Sequence, residues 1–199
     1  MSTGTSRKMP RKAPLPYIAV AAICVALAVV SWVFAFSQQP KSYPVSCSMP
    51  SAGTPVSSTS LVGVNFSSPS EVPVRVFNAN GATGQATTVA DQLRTLGFTP
   101  DSETPFGNDP QVPEQNLECF GQLRFGAGND SQVVALHSLL PCFELIQDGR
   151  QDPSVDVSLG KGFEALPTGG QISDAMSALN RGEQVDSATL ENLAPNTCG

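Results

Sequence analysis

The sequence predicts an α/β fold behind a single membrane-spanning helix, with a mixed sheet of about five strands covered by helices. Three observations predict it. The first is an unbroken apolar run from Tyr17 to Phe36; the other two are stretches where strand-type alternation gives way to a turn and then to helical periodicity. Two strand–helix–strand units in one domain imply right-handed crossovers and parallel strand pairs, because such pairs need a connection of helix length.

The run YIAVAAICVALAVVSWVFAF is about 20 residues long, matching the ~30 Å hydrocarbon core at 1.5 Å rise per residue. Arg7, Lys8, Arg11 and Lys12 precede it and all 17 acidic residues follow it. The positive-inside rule therefore predicts a cytoplasmic tail over 1–16, a transmembrane helix over 17–36 and an extracytoplasmic remainder. A cleaved signal peptide competes, since Val33-Phe34-Ala35 fits a small-x-small site. Against it, the run exceeds the usual apolar core of about 7–15 residues and ends in bulky Trp32, Phe34 and Phe36. Cys24 follows Ile23, where a lipobox wants a small residue; it is expected to face lipid or a helix partner.

The exported part is acidic. Four of the 11 basic residues precede the span, leaving seven against 17 acids and a formal charge of about −10 outside. Such a surface repels nucleic acid, anionic lipid and teichoic-type polymers at long range, so no nucleic-acid partner is expected. The exported cysteines are Cys47, Cys119, Cys142 and Cys198, an even number in a compartment where disulfides persist. His137 is the only histidine. With no tight C-x-x-C spacing, neither a metal site nor a cofactor is expected.

Residues 37–70 are rich in Ser and Pro and read as an extracytoplasmic tether, with Cys47 pinning part of it to the body and Leu61, Val62, Val64 and Phe66 forming a short packed arm. The folded domain is predicted over 71–199. Val72 to Asn78 alternates as a strand and stops at the turn formers Asn78-Ala79-Asn80-Gly81. From Gly84 the pattern is helical, with Ala86, Val89, Ala90, Leu93 and Leu96 on one face and Gly97 as the left-handed cap. A second strand follows near Phe98 to Thr104, then a Pro-, Gly- and acid-rich loop over 101–115.

Leu117 to Phe125 reads as the next strand, and Asn129 or Asp130 caps a helix carrying Val133, Leu136 and Leu140 and ended by Pro141. Cys142 to Gln147 and Val155 to Leu159 are further strands. A helix near Gln171 to Arg181 and a weak helical stretch near Thr189 to Leu193 complete the chain. If the strands flanking the second crossover are parallel neighbours, Cys119 and Cys142 lie at one sheet edge within bonding range. That predicts Cys119–Cys142 and, by remainder, Cys47–Cys198.

The segment VRVFNANGATGQATTVADQLRTLGF resembles the opening of the LytR C-terminal domain family, with its strand, Asn-rich Gly turn, small-residue helix and closing Gly-Phe. GQLRFG, PCFEL and VDVSLGKGF match the later strands of that family, so the resemblance runs from about Val72 to Gly162; the cysteines are additional. The resemblance implies a membrane-tethered accessory module that supports cell-envelope integrity by binding a wall polymer or an assembly protein. The catalytic phosphotransferase domain that precedes this module in LytR-type ligases has no counterpart here, so none of its active-site residues carries over.

The strongest candidate for a ligand site is the turn Asn78, Asn80, Gly81 and Gly84, at a strand's carboxyl end and a helix N-terminus, where N–H groups and the dipole favour an anion or polar ligand. Its spacing is not G-x-G-x-x-G, and the bland alternative is a turn with positive φ before a capped helix. Asp148, Asp152 and Asp156 lack the spacing of an EF-hand loop and read as a solvated turn. His137, beside Ser138, has no acid placed to orient it and reads as a packing residue rather than a general base. No catalytic residue is assigned. The alternative is a small hydrolase or transferase using loop carboxylates such as Glu103, Asp109 and Glu114; two of them facing each other across a groove would favour it.

Overall fold

The structure, a computed structural model, describes residues 15–37, 42–48, 52–166 and 169–183. The basic tail and the stretch near Thr189 to Leu193 lie outside the described residues, as does Cys198. The chain divides into two compact units, Met1–Pro40 and Lys41–Gly199.

The first unit holds helix α1, Leu15–Ser37, whose segment Tyr17–Ser37 is long and apolar enough to cross a membrane. Its apolar side chains, including Tyr17, Trp32 and Phe36, stand exposed, which a bilayer would satisfy and water would not. The Trp32 and Phe36 rings lie one helical turn apart with centroids 5.0 Å from each other.

In the second unit the elements follow as β1 (Gly53–Val56), β2 (Pro73–Asn78), α2 (Gln85–Thr95), β3 (Thr99–Pro100), β4 (Phe106–Asn108), β5 (Gly121–Gly126), α3 (Asp130–His137), β6 (Glu144–Asp148), β7 (Val155–Leu159) and α4 (Gly170–Asn180). Among the described residues seven strands form one sheet, in the order β1-β6-β5-β7-β2-β3, with β4 also pairing β2. Both expected strand–helix–strand units are present, since β2 is parallel to β3 and β4 after α2, and β5 is parallel to β6 after α3. Strand β7 makes the sheet mixed: it inserts between the units, parallel to β2 and antiparallel to β5.

Two strands were not expected. β1 falls in the Ser/Pro-rich stretch and pairs antiparallel with β6, Pro55 facing Ile146 in register. Proline is tolerated there because β1 is an edge strand. β4 lies inside the acid-rich loop and continues the edge that β3 begins, placing Val76 opposite Phe106. The predicted arm is present as well: Leu61 is buried, Val64 and Phe66 pack on the core, and Ser67 N donates to Ser131 O at 3.0 Å, while Val62 is exposed.

Side-chain alternation sorts the sheet into two faces. Val74, Val76, Leu123, Phe125, Leu145, Val155 and Val157 point to one, where α2, α3 and α4 add Val89, Leu93, Leu136, Ala175 and Leu179 to a single large core. The opposite face carries Arg75, Phe77, Gln122, Arg124, Glu144, Asp156 and Ser158, and a smaller cluster of Ala79, Val112, Leu117 and Cys119 with Cys47 packed on it.

That alternation corrects the expected disulfides. Cys47 is bonded to Cys119, with Cα atoms 5.1 Å apart, so neither Cys119–Cys142 nor Cys47–Cys198 forms. Parallel neighbours are not enough to bring Cys119 and Cys142 together. Gln122 pairs with Glu144, and counting back two residues sets Cys142 opposite Phe120. The one-residue offset turns the two sulfurs to opposite faces, Cys142 into the large core and Cys119 into the small one. Cys142 is itself disulfide-bonded.

Candidate functional site

Strand β2 ends in the turn singled out from sequence, and the structure brings its four residues together. Gly81 and Gly84 adopt φ of +82° and +77°, left-handed values that a side chain would strain. The two Asn side chains close the turn on itself: Asn78 Nδ2 donates to Ala82 O at 2.8 Å, Asn78 Oδ1 accepts from Asn80 N, and Asn80 Oδ1 accepts from Ala82 N. Asn80 Nδ2 also donates to Gln85 Oε1 and to Gly160 O, just past β7. Gln85 Nε2 in turn donates to the carbonyls of Phe163 and Glu164. The amides thus lash the start of α2 to the end of β7, and both are committed within the domain.

The loop carboxylates separate rather than converge. Asp109 is fully buried and pairs with Arg124 at 2.9 Å, their side chains 0% and 2% exposed. Asp109 also accepts from Ser158 Oγ and from Gln111 N. Arg124 reaches Gln122 Oε1 through Nε and Nη2, and Gln122 passes its amide to Glu144 Oε2 at 2.9 Å. Glu144 accepts in addition from Ser46 Oγ and Cys47 N, so the hydrogen-bonded chain ends on the disulfide-held strap. A carboxylate locked this way has no access to substrate. Glu103 and Glu114 are exposed.

His137 ends α3, and Ser138 Oγ donates back to Val134 O at 2.9 Å rather than to the imidazole. Burial pulls the His137 pKa down to about 4, against the raising effect of its bond to the Pro141 carbonyl, so the ring is neutral at physiological pH. Among the described residues no group of three or more His, Cys, Asp or Glu side chains is placed to hold a metal ion.

What sequence reasoning missed lies on the sheet face away from the helices. Arg150, in the β6–β7 turn, bridges Asp148 and Asp156, 2.6 Å from an oxygen of each. Asp156 takes a second cation, Arg75 Nε, at 2.6 Å. Burial works to raise the Asp148 pKa, but the Arg150 hydrogen bonds and charge outweigh it and hold the carboxyl below its ordinary value. Burial likewise disfavours the Arg150 cation, and its two aspartates reverse that effect. Asp148 and Asp156, expected in a solvated turn, are therefore partners of arginine instead, while Asp152 accepts from Ser154. The signal lay in the alternation of GQLRFG and VDVSLG, which sets Arg124 opposite Asp156 and Gln122 opposite Ser158.

The comparisons with known proteins agree with one another. A profile of the family described as LytR cell envelope-related transcriptional attenuator matches residues 71–163. Cell envelope integrity protein Cei of Mycobacterium tuberculosis (strain ATCC 25618 / H37Rv) is 33% identical over 204 residues, covering 96% of this chain and 93% of that protein. The crystal structure of the soluble domain of a conserved hypothetical secreted protein from Mycobacterium marinum is 36% identical. It gives a TM-score of 0.63 and covers 75% of this chain and 100% of that one.

Proposed function

The chain belongs to the LytR C-terminal domain family, and from that membership we propose that it is a membrane-anchored, non-catalytic module supporting cell-envelope integrity by binding a wall component or an assembly protein. The observation that carries this reading is likeness along nearly the whole length of an envelope integrity protein, span included. A non-catalytic role is supported by where the titratable groups are: Asp109 is sealed in an ion pair, Asp148 and Asp156 are held by arginines, and His137 has no hydroxyl or acid partner among the described residues. We assign the Asn78–Gly84 turn the role of a scaffold that fixes α2 to β7.

The proposed topology is a cytoplasmic N-terminus and an exported domain, resting on the basic tail and the acidic remainder. Protease added to intact spheroplasts should cut the domain. Complementation of a deletion strain under envelope stress tests the role itself: the anchored chain should restore resistance and a version lacking 1–37 should not. Full rescue by the unanchored form would overturn the anchored-module reading.

A further inference from the structure

Arg75 is held at one edge of its guanidinium and open at the other. Nε is 2.6 Å from Asp156 Oδ1, and Asp156 is itself gripped by Arg150. Among the described residues, Arg75 Nη1 and Nη2 have no partner, and the side chain is 24% exposed. Arg75, Arg150, Asp148 and Asp156 balance in charge among themselves, so the free edge is a fixed pair of donors rather than a loose surface cation, and its charge also acts on Asp152. Such a fork matches the two oxygens of a carboxylate.

Arg75 lines a concavity of about 470 Å³, within the range of small-ligand sites. Pro73, Pro100 and Pro153 give it rigid apolar walls, and Asp101, Glu103 and Asp152 give it negative charge. Two of those acids are occupied: Asp101 Oδ1 accepts from the N–H groups of Glu103 and Thr104, and Asp152 Oδ1 from Ser154. Glu103 is exposed and has no side-chain partner among the described residues.

A polyanion entering here would meet three carboxylates, and a simple cation would meet Arg75. A ligand carrying both signs satisfies both ends. Resting on the reading of this protein as an envelope-binding module, we propose that this concavity binds a short zwitterionic peptide, its terminal carboxylate on Arg75 Nη1 and Nη2 and its amine on Glu103. Because Asp156 and Arg150 already fix the arginine, little side-chain freedom is lost on binding.

The test uses the full chain in detergent micelles, titrated calorimetrically with the N-acetylated tripeptide Ala-Ala-Lys, its C-terminal amide and its Nε-acetylated form. Saturable binding is expected for the free acid. It should weaken by about ten-fold or more on amidation or in Arg75→Gln. Glu103→Gln should weaken the free acid and leave the Nε-acetylated peptide unchanged. Amidation and Glu103→Gln leave the Arg75–Asp156 pair intact, so they carry the test even if Arg75→Gln loses stability. No saturable binding to wild type, or binding indifferent to amidation and to both substitutions, overturns the site. If that same wild-type chain still restores envelope resistance, only this inference falls; rescue by the unanchored form would instead remove the reading beneath it.

Discussion

Asp109 and Arg124 form an ion pair with both side chains out of solvent, joining the acid-rich loop to the middle of the sheet across 15 residues of sequence. The pair is positioned by Gln122, Ser158 and the N–H of Gln111, so nearly every polar atom has a partner. Breaking such a pair from one side strands a buried charge. Asp109→Asn should therefore cost about 3–5 kcal/mol, and replacing both partners with apolar residues should recover much of that loss. Urea denaturation followed by circular dichroism would measure it; a change in Asp109→Asn under about 0.5 kcal/mol would mean the pair does not hold the loop.

The strap bond makes a covalent expectation. Non-reducing peptide mapping should recover Cys47 joined to Cys119. With Cys24 free and Cys142 bonded, Cys142 should be found with the one remaining cysteine, Cys198. Cys47→Ser should lower stability by on the order of 4 kcal/mol in the chain-entropy account, given the 72-residue separation. Recovery of a Cys119–Cys142 peptide would contradict the strand register.

Gly81→Val should destabilise by about 1–3 kcal/mol, because φ of +82° is hostile to a β-branched side chain even though a Cβ there would meet only Gln115, its backbone O at an ordinary 3.8 Å. Gly149→Val is the control: nothing lies within 4 Å of a Cβ built there and its φ is not in the left-handed region, so it should change stability less. Equal melting temperatures for the two variants would remove the scaffold role from the turn.

His137 supplies a pH dependence. Its folded pKa lies near 4, below the ordinary 6.5, so between those values the unfolded chain binds the proton and the folded chain does not. Stability is therefore expected to fall as pH drops from about 6.5 to 4, by at most roughly 3 kcal/mol from this residue. His137→Gln should flatten the profile over that window. Asp148, held low by Arg150, adds its own loss only below the ordinary carboxylate range. An unchanged slope in the variant would assign the window to other groups.

Local pattern made much of the fold legible. The apolar run, the strand–turn–helix from Val72 to Leu96, and the second unit around α3 all carry their periodicity in consecutive residues. β1 and β4 do not: a Pro-containing GTPV and a three-residue FGN become strands only because β6 and β2 offer pairing partners far away in sequence. The disulfide was misread for a related reason, since proximity follows from strand neighbours but facing depends on a register one residue fine. The turn residues were found, while their commitment to Gly160, Phe163 and Glu164 was hidden in the placement of β7. Arg75 and Arg150 gave no motif at all; their roles arise only once β7 lies between β5 and β2.

The sheet's two borders bear on how this molecule can meet others. One border is β1, four residues long with a proline in it, and the other is split into a two-residue and a three-residue piece, the first ending in Pro100. Among the described residues neither presents a long row of free amide groups onto which a foreign strand could zip. At high local concentration that guards against runaway polymerisation. It also steers recognition away from strand addition and onto the molecule's side-chain surfaces, where specificity comes from shape and charge rather than from backbone pairing.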